Sequence, residues 1–95
     1  MPTLETWLDP EIIQTEWLRP LTAQELDACF KNLRSMLDSA THHVSILFDL
    51  RETRAIPAQA PILAYRSGFL KSPKLGKVVV VSSDVAVSYT HLLIF

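Results

Sequence analysis

Charged and hydroxyl side chains follow two short apolar runs of the chain, and these residues are the best placed for chemistry. In an open parallel sheet, ligands bind beyond the carboxyl ends of the strands. Two arginines at such an end could hold a phosphate or a carboxylate. The alternative is that these arginines form surface ion pairs with neighbouring acids. The first set of residues, after the run 44–48, is Asp49, Arg51, Glu52 and Arg54, and the second, after the run 78–81, is Ser82, Ser83 and Asp84.

Signals for a metal site, a nucleophile or a phosphate-binding loop are weak. His42 and His43 are adjacent and point in different directions, and no cysteine or third histidine stands at ligand spacing. A solvated loop is the alternative for this pair. Cys29 falls on an apolar helix face, where a thiol behaves as a small hydrophobic group. The two glycines of the chain, Gly68 and Gly76, exclude the glycine-rich nucleotide-binding patterns. We therefore expect no metal, no cofactor and no enzymatic activity.

The composition bounds the class of protein. Ninety-five residues allow a single domain. Nine basic against ten acidic side chains give a net charge of -1, which argues against a nucleic-acid-binding protein. One cysteine cannot form an internal disulfide. No apolar run reaches the roughly 18 residues of a membrane helix, and the N-terminus lacks the pattern of a signal peptide. We expect a cytoplasmic protein without a membrane span.

The N-terminal segments 3–8 and 12–18 alternate apolar and polar residues, as half-buried strands do. Asp9 and Pro10 between them suit a tight turn, so a β-hairpin is predicted. Trp7 and Trp17 belong to these strands. We expect both to pack in the core, and contact with a partner is the alternative.

An amphipathic helix is predicted next. Thr22 and Glu25 have the spacing of a capping box, and Leu21 and Leu26 have the spacing of a hydrophobic staple. Apolar residues then recur at helical spacing, which indicates one buried face. These residues are Leu26, Cys29, Phe30, Leu33, Met36, Leu37 and Ala40.

Residues 44–48 and 77–82 predict two further strands. Both runs are apolar on both faces, which is typical of strands covered on each side. A second helix between them is predicted to start near Pro57. A strand, a helix and a second strand of this kind form a right-handed parallel unit. The predicted fold class is α/β, with an N-terminal β-hairpin followed by α-β-α-β in a mixed sheet with helices packed on it. The expected inner face of the second helix is Ile62, Tyr65, Phe69 and Leu70.

The end of the chain departs from this pattern. A further helix would be capped well by Ser83 or Asp84, but residues 87–95 are mostly apolar. Residues 87–92 also resemble the translation of a transposon-end adapter used in sequencing libraries. We therefore expect one domain over residues 1–86 that is incomplete at its C-terminus, followed by an adapter-derived tail over 87–95. The alternative is a genuine edge strand over residues 85–95.

The order of elements resembles the STAS domain of bacterial anti-sigma-factor antagonists and the related CRAL-TRIO lipid-transfer fold. The likeness covers most of residues 4–86, and segments 7–9, 44–51, 56–57 and 77–82 look like an uncharacterised bacterial branch of STAS-like proteins. STAS antagonists carry Asp-Leu-Ser after a strand and then a turn with the phosphorylated serine. Asp49, Leu50 and Ile56 match this pattern, whereas Arg51 replaces the first serine and residues 57–60 read Pro-Ala-Gln-Ala. The resemblance implies a module without the phosphorylatable serine.

What the resemblance implies is a non-enzymatic regulatory module that binds a regulatory protein or a second copy of itself. The expected partner-binding residues are Arg51, Arg54, Pro57 and Gln59, in the loop before the second helix and at its start. The alternative implied by the CRAL-TRIO likeness is a small-ligand or lipid-binding domain. Such a domain needs an apolar pocket of about 300 Å³ or more.

Overall fold

Two antiparallel strands joined by a tight turn form one side of the sheet. The computed structural model describes residues 2–53, 58–81 and the backbone of 86–89. Strand β1 (Thr3–Asp9) pairs with β2 (Ile12–Trp17). The Asp9 carboxylate accepts a hydrogen bond of 2.7 Å from the backbone N–H of Glu11, which stabilises the turn. The predicted hairpin is confirmed.

Helix α1 (Ala23–Asp38) begins at the predicted capping box. The Thr22 hydroxyl accepts a hydrogen bond from the Glu25 N–H at 3.2 Å, and the Glu25 carboxylate accepts one from the Thr22 N–H at 3.0 Å. These two bonds satisfy donors that a helix N-terminus otherwise leaves free. The predicted inner face is buried at Leu26, Cys29, Phe30, Leu33 and Leu37, with Met36 and Ala40 partly buried.

The rest of the chain completes a mixed five-stranded sheet in the order β1-β2-β3-β4-β5. Strands β2, β3 and β4 are mutually parallel, and the two outer pairs are antiparallel. The α/β fold class is therefore confirmed. The remaining elements are β3 (Val44–Asp49), α2 (Ala60–Ser67), a 3-10 turn (Phe69–Lys71), β4 (Leu75–Val81) and β5 (Ala86–Tyr89).

Both helices lie on one face of the sheet, where α1 contacts α2. This follows from the strand order, because two successive right-handed crossovers in the same direction place their helices on the same side. The core fills this side, with Ile13, Ile46 and Val78 in register across three strands. Among the described residues, no helix covers the opposite face, where Leu47 and Val79 are half-buried. The expectation that β3 and β4 are covered on each side is wrong for this part of the chain.

The second helix differs most from its prediction. It begins at Ala60, with Pro61 in its first turn, rather than near Pro57, and its buried residues are Ala60 and Ala64. Ile62 and Tyr65 are exposed instead of facing the core. The prediction is wrong for these two residues because the small alanines allow the backbone of α2 to approach the core. Phe69 is buried as expected, but it lies in the 3-10 turn.

The two tryptophans of the hairpin have different environments. Trp17 is buried in the core, whereas Trp7 is exposed, so the core prediction is wrong for Trp7. Among the described strands, β1 is paired on one side only, and Trp7 lies beside the residues that follow α1. There the helix has ended and no longer covers the sheet.

The C-terminal residues are described only in part. Residues Ala86–Tyr89 pair with β4 as an antiparallel strand, and residues 90–95 lie outside the described part. The adapter origin of 87–95 stays a prediction. No helix within the described residues is long and apolar enough to cross a membrane.

Candidate functional site

The carboxyl ends of the parallel strands lie at one edge of the sheet, where Trp17 ends β2, Asp49 ends β3 and Val81 ends β4. The strand order contains no reversal. The described part of the sheet therefore lacks the crevice that forms at a topological switch point. Binding at this edge depends on the side chains that flank the strand ends.

Asp49 and Arg51 form an ion pair with two side-chain hydrogen bonds at this edge. The Asp49 carboxylate accepts hydrogen bonds from Arg51 Nε at 2.9 Å and from Arg51 Nη2 at 2.8 Å. It also accepts from the Arg51 backbone N–H at 3.2 Å and from Gln14 Nε2 at 3.3 Å. The Asp49 side chain is 5% exposed. The paired guanidinium holds the pKa of the Asp49 carboxyl below its ordinary value. The surface ion-pair alternative is confirmed for Arg51.

The described part of the chain contains two of the four predicted partner-binding residues. The Arg51 side chain is 64% exposed although it is paired, and Gln59 is exposed at the position before α2. Their chain neighbours Leu50 and Ala60 line one cavity, so both residues lie beside its walls. Arg54 and Pro57 lie outside the described residues, as do Ser82, Ser83 and Asp84.

Two large side chains on α2 extend this region. Ile62 is 58% exposed and Tyr65 is 53% exposed. The Lys71 ammonium lies 4.4 Å from the centroid of the Tyr65 ring, a cation–π contact. Residues three apart are neighbours on a helix, so Gln59, Ile62 and Tyr65 follow one another along α2. We call Arg51, Gln59, Ile62 and Tyr65 the α2 surface.

Sequence reasoning placed Ile62 and Tyr65 in the core and so missed their part in this surface. The chain contains one signal that could have corrected it. Ala60 and Ala64 are four residues apart and form a second regular stripe. Small residues favour the side of a helix that packs closely against its neighbours.

Beneath α2 lies an apolar cavity of about 200 Å³. The sheet contributes Trp17, Phe48 and Val80 to its walls. The lining from the helices is Phe30, Ala60, Pro61 and Ala64, and the connections contribute Leu50, Phe69 and Leu70. None of these side chains except the Trp17 indole carries a polar atom. The pocket is partly open to solvent and is therefore not a sealed void.

Cys29 lies in a separate polar cluster between β1, β2 and α1. The Thr15 hydroxyl donates to the Glu5 carboxylate at 2.7 Å, and Asn32 donates to the same carboxylate at 2.9 Å. The thiol is 3.6 Å from the Thr15 hydroxyl and 3.8 Å from Glu5. Burial raises the pKa of the Cys29 thiol to about 12. Because the thiolate is the nucleophilic form, this group is unreactive at neutral pH.

The two histidines lie in the exposed connection between α1 and β3. The imidazole of His42 donates a hydrogen bond to the carbonyl oxygen of Pro10. Within the described ranges, no group of three or more His, Cys, Asp or Glu side chains could hold a metal ion.

Comparison with known proteins found no matching family model, no matching curated protein and no matching solved structure.

Proposed function

We propose that this chain is a non-enzymatic STAS-like interaction module that binds a regulatory protein in the cytoplasm. The α2 surface is the proposed contact. The observation that carries the proposal is the exposure of Ile62 and Tyr65 on a helix of eight residues. Exposed apolar side chains rimmed by polar ones are typical of protein–protein interfaces. Gln59 is polar and precedes Ile62 by one helical turn, and Arg51 is exposed beside the wall of the neighbouring pocket.

The order of elements supports the STAS-like part of the proposal. A hairpin, a helix, a buried strand ending before Leu50, a second helix and a further strand follow in the expected sequence. Arg51 stands where the antagonists have a serine, and it is engaged by Asp49. The phosphorylated serine of the antagonists belongs to the following turn, where this chain reads Pro-Ala-Gln-Ala over residues 57–60. The proposed module therefore binds its partner without control by phosphorylation in that turn.

The contacts of the α2 surface favour a partner with a particular chemistry. Tyrosine and arginine are enriched among the residues that dominate binding energy. Arg51 uses two of its five side-chain N–H donors on Asp49, and within the described residues the other three have no acceptor and can approach one on a partner. Fully burying an isoleucine gains about 1.5–3 kcal/mol. The surface thus suits a partner segment that has an apolar anchor next to a carboxylate or carbonyl acceptor.

The cavity bears on the alternative of a lipid-binding domain. Its volume of about 200 Å³ is smaller than the roughly 300–1,000 Å³ of pockets for drug-sized ligands. An acyl lipid is larger still. This comparison favours the protein-interaction proposal over the lipid-binding one.

The proposal is tested by comparative capture from a lysate of the native cells. The bait carries Ile62→Glu and Tyr65→Glu, which keep good helix formers on the exposed side of α2. Ser35→Glu, at an exposed position of α1, is the matched control for added charge. We expect a protein captured by the wild type and by the control to be lost from the double variant. Equal capture by all three baits would contradict the proposal. Sedimentation of the purified protein shows whether the partner is a second copy.

A further inference from the structure

We propose that the apolar cavity beneath α2 is a binding site for a small neutral compound with a single aromatic ring. The inference stands apart from the proposed protein contact, because the cavity lies beneath α2 whereas Ile62 and Tyr65 lie on the outer side of that helix. It follows from the lining, the volume and the arrangement of rings.

The lining sets the polarity of the ligand. The walls from the two helices and the 3-10 turn are hydrocarbon only, at Phe30, Ala60, Ala64 and Phe69. A charged group placed there would lose its hydration without a partner. The ligand is therefore neutral and apolar at the end that enters.

The volume sets the size of the ligand. A cavity of about 150 Å³ lined by apolar side chains stays dry and binds benzene. The space of about 200 Å³ here accepts one ring with a small substituent. Because such a ligand binds the folded chain and not the unfolded one, it stabilises the fold.

The rings in the wall favour an aromatic ligand over an aliphatic one. Trp17 and Phe48 meet edge to face with centroids 5.9 Å apart, and Phe30 and Phe69 stack at 5.3 Å. Aromatic rings prefer these two arrangements, and each pair adds attraction beyond simple burial. A ligand ring in the cavity could therefore stack on one of these rings and meet another edge to face.

The site exists because α2 turns alanines toward it. Ala64 lies in the middle of the helix and Ala60 at its start, and both are buried against the cavity. A leucine at position 64 would occupy much of the space. Helix α1 supplies a matched control, because Ala28 is an exposed alanine on it.

Toluene is the probe for the test, and the reporter is the emission of Trp17 in a Trp7→Phe background. The chain has two tryptophans, so this background leaves Trp17 alone. We expect a saturable change with one equivalent bound, weakened at least tenfold by Ala64→Leu and unchanged by Ala28→Leu. A response that does not saturate, or equal affinity in Ala64→Leu, would overturn the proposal. Saturable binding of a long-chain fatty acid in place of toluene would also overturn it.

Methyl NMR of the wild-type chain gives a second measurement, which does not depend on whether Ala64→Leu folds. Toluene in the cavity should shift the methyl resonances of Ala60, Ala64 and Val80 through its ring current. The Ile62 methyls should stay in place. Shifts of Ile62 equal to those of Ala64 would indicate surface adsorption and reject the site.

Discussion

At the scale of single residues, the Glu25 side chain takes part in both an ion pair and a helix cap. Its carboxylate accepts two hydrogen bonds from Arg19, at 3.0 and 2.6 Å, while it closes the capping box with Thr22. Arg19 is the largest cause of a low pKa at Glu25, which falls from 4.5 to about 2, and the Thr22 N–H adds to it. The start of α1 is thereby tied to the end of the hairpin.

We predict that Arg19→Met raises the pKa of Glu25 toward 4.5, as measured by titration of its side-chain carboxyl in NMR. In the wild type, the folded pKa is lowered, so the stabilisation from Glu25 is present above pH 4.5 and is lost as the pH falls toward 2. The variant should lose most of that dependence and keep the part that the Thr22 N–H supplies. An unchanged Glu25 pKa in Arg19→Met would show that Thr22 alone is responsible.

Asp49 is a second carboxylate whose pKa is lowered by a neighbouring arginine, and this one is buried. The substitution that tests Arg51 must therefore leave Asp49 without a new negative neighbour. A glutamate at position 51 would set two carboxylates side by side and would destabilise the strand end. Arg51→Gln removes the charge without adding repulsion. We predict that it raises the pKa of Asp49 and moves acid unfolding to higher pH, because Asp49 stabilises the fold only while it is ionised.

Acid unfolding of Arg51→Gln is monitored by circular dichroism, and the measured quantity is the pH at its midpoint. Arg66→Gln, at an exposed arginine of α2, is the control for the loss of one positive charge. An equal midpoint in the two variants would contradict a specific role for the Asp49–Arg51 pair.

At the scale of elements, α2 is held at its C-terminus by α1. Gly68 ends α2 with φ of +85°, and its carbonyl accepts a 2.7 Å hydrogen bond from Arg34 Nη1. Arg34 Nε meanwhile donates to Asp38 at 2.9 Å. A Cβ atom on residue 68 would lie 2.8 Å from Arg34 Nη1. This contact joins the end of α2 to α1.

We predict that Gly68→Ala lowers the free energy of unfolding by about 1–3 kcal/mol, because alanine is strained at a positive φ. Gly68→Asn should lose less, since asparagine tolerates this backbone conformation. Urea unfolding of both variants gives the comparison. A loss in Gly68→Ala no larger than that in Gly76→Ala, where the backbone does not have a positive φ, would contradict the argument.

The elements differ in how well the sequence predicts them. Helix α1 has a capping box and four turns of regular spacing, and its prediction is confirmed in start and inner face. Helix α2 has eight residues, and two stripes compete in it. The prediction placed the larger residues, Ile62 and Tyr65, on the buried side of α2, whereas they are exposed. The size of a side chain does not by itself show which side of a helix its neighbour will approach. The Arg34–Gly68 contact at the end of α2 links residues 34 positions apart, which no local pattern reveals.

At the scale of the whole molecule, the arrangement of layers follows from strand order rather than from composition. The run 44–48 is apolar at every position except Ser45. Its pattern therefore predicts a buried strand but does not show which face the helices cover. The order β1-β2-β3-β4-β5 places both crossover helices on one face. The cavity was equally beyond prediction, because it arises between the sheet and both helices.

The central claim is that a protein partner binds the α2 surface. Site-specific photo-crosslinking in the native cells tests it most directly, with a benzophenone amino acid at position 65 and, as control, at position 35 of α1. We predict a discrete adduct of one protein at position 65 and none at position 35, identified by mass spectrometry. No adduct at position 65, or the same set of adducts at both positions, would contradict the claim.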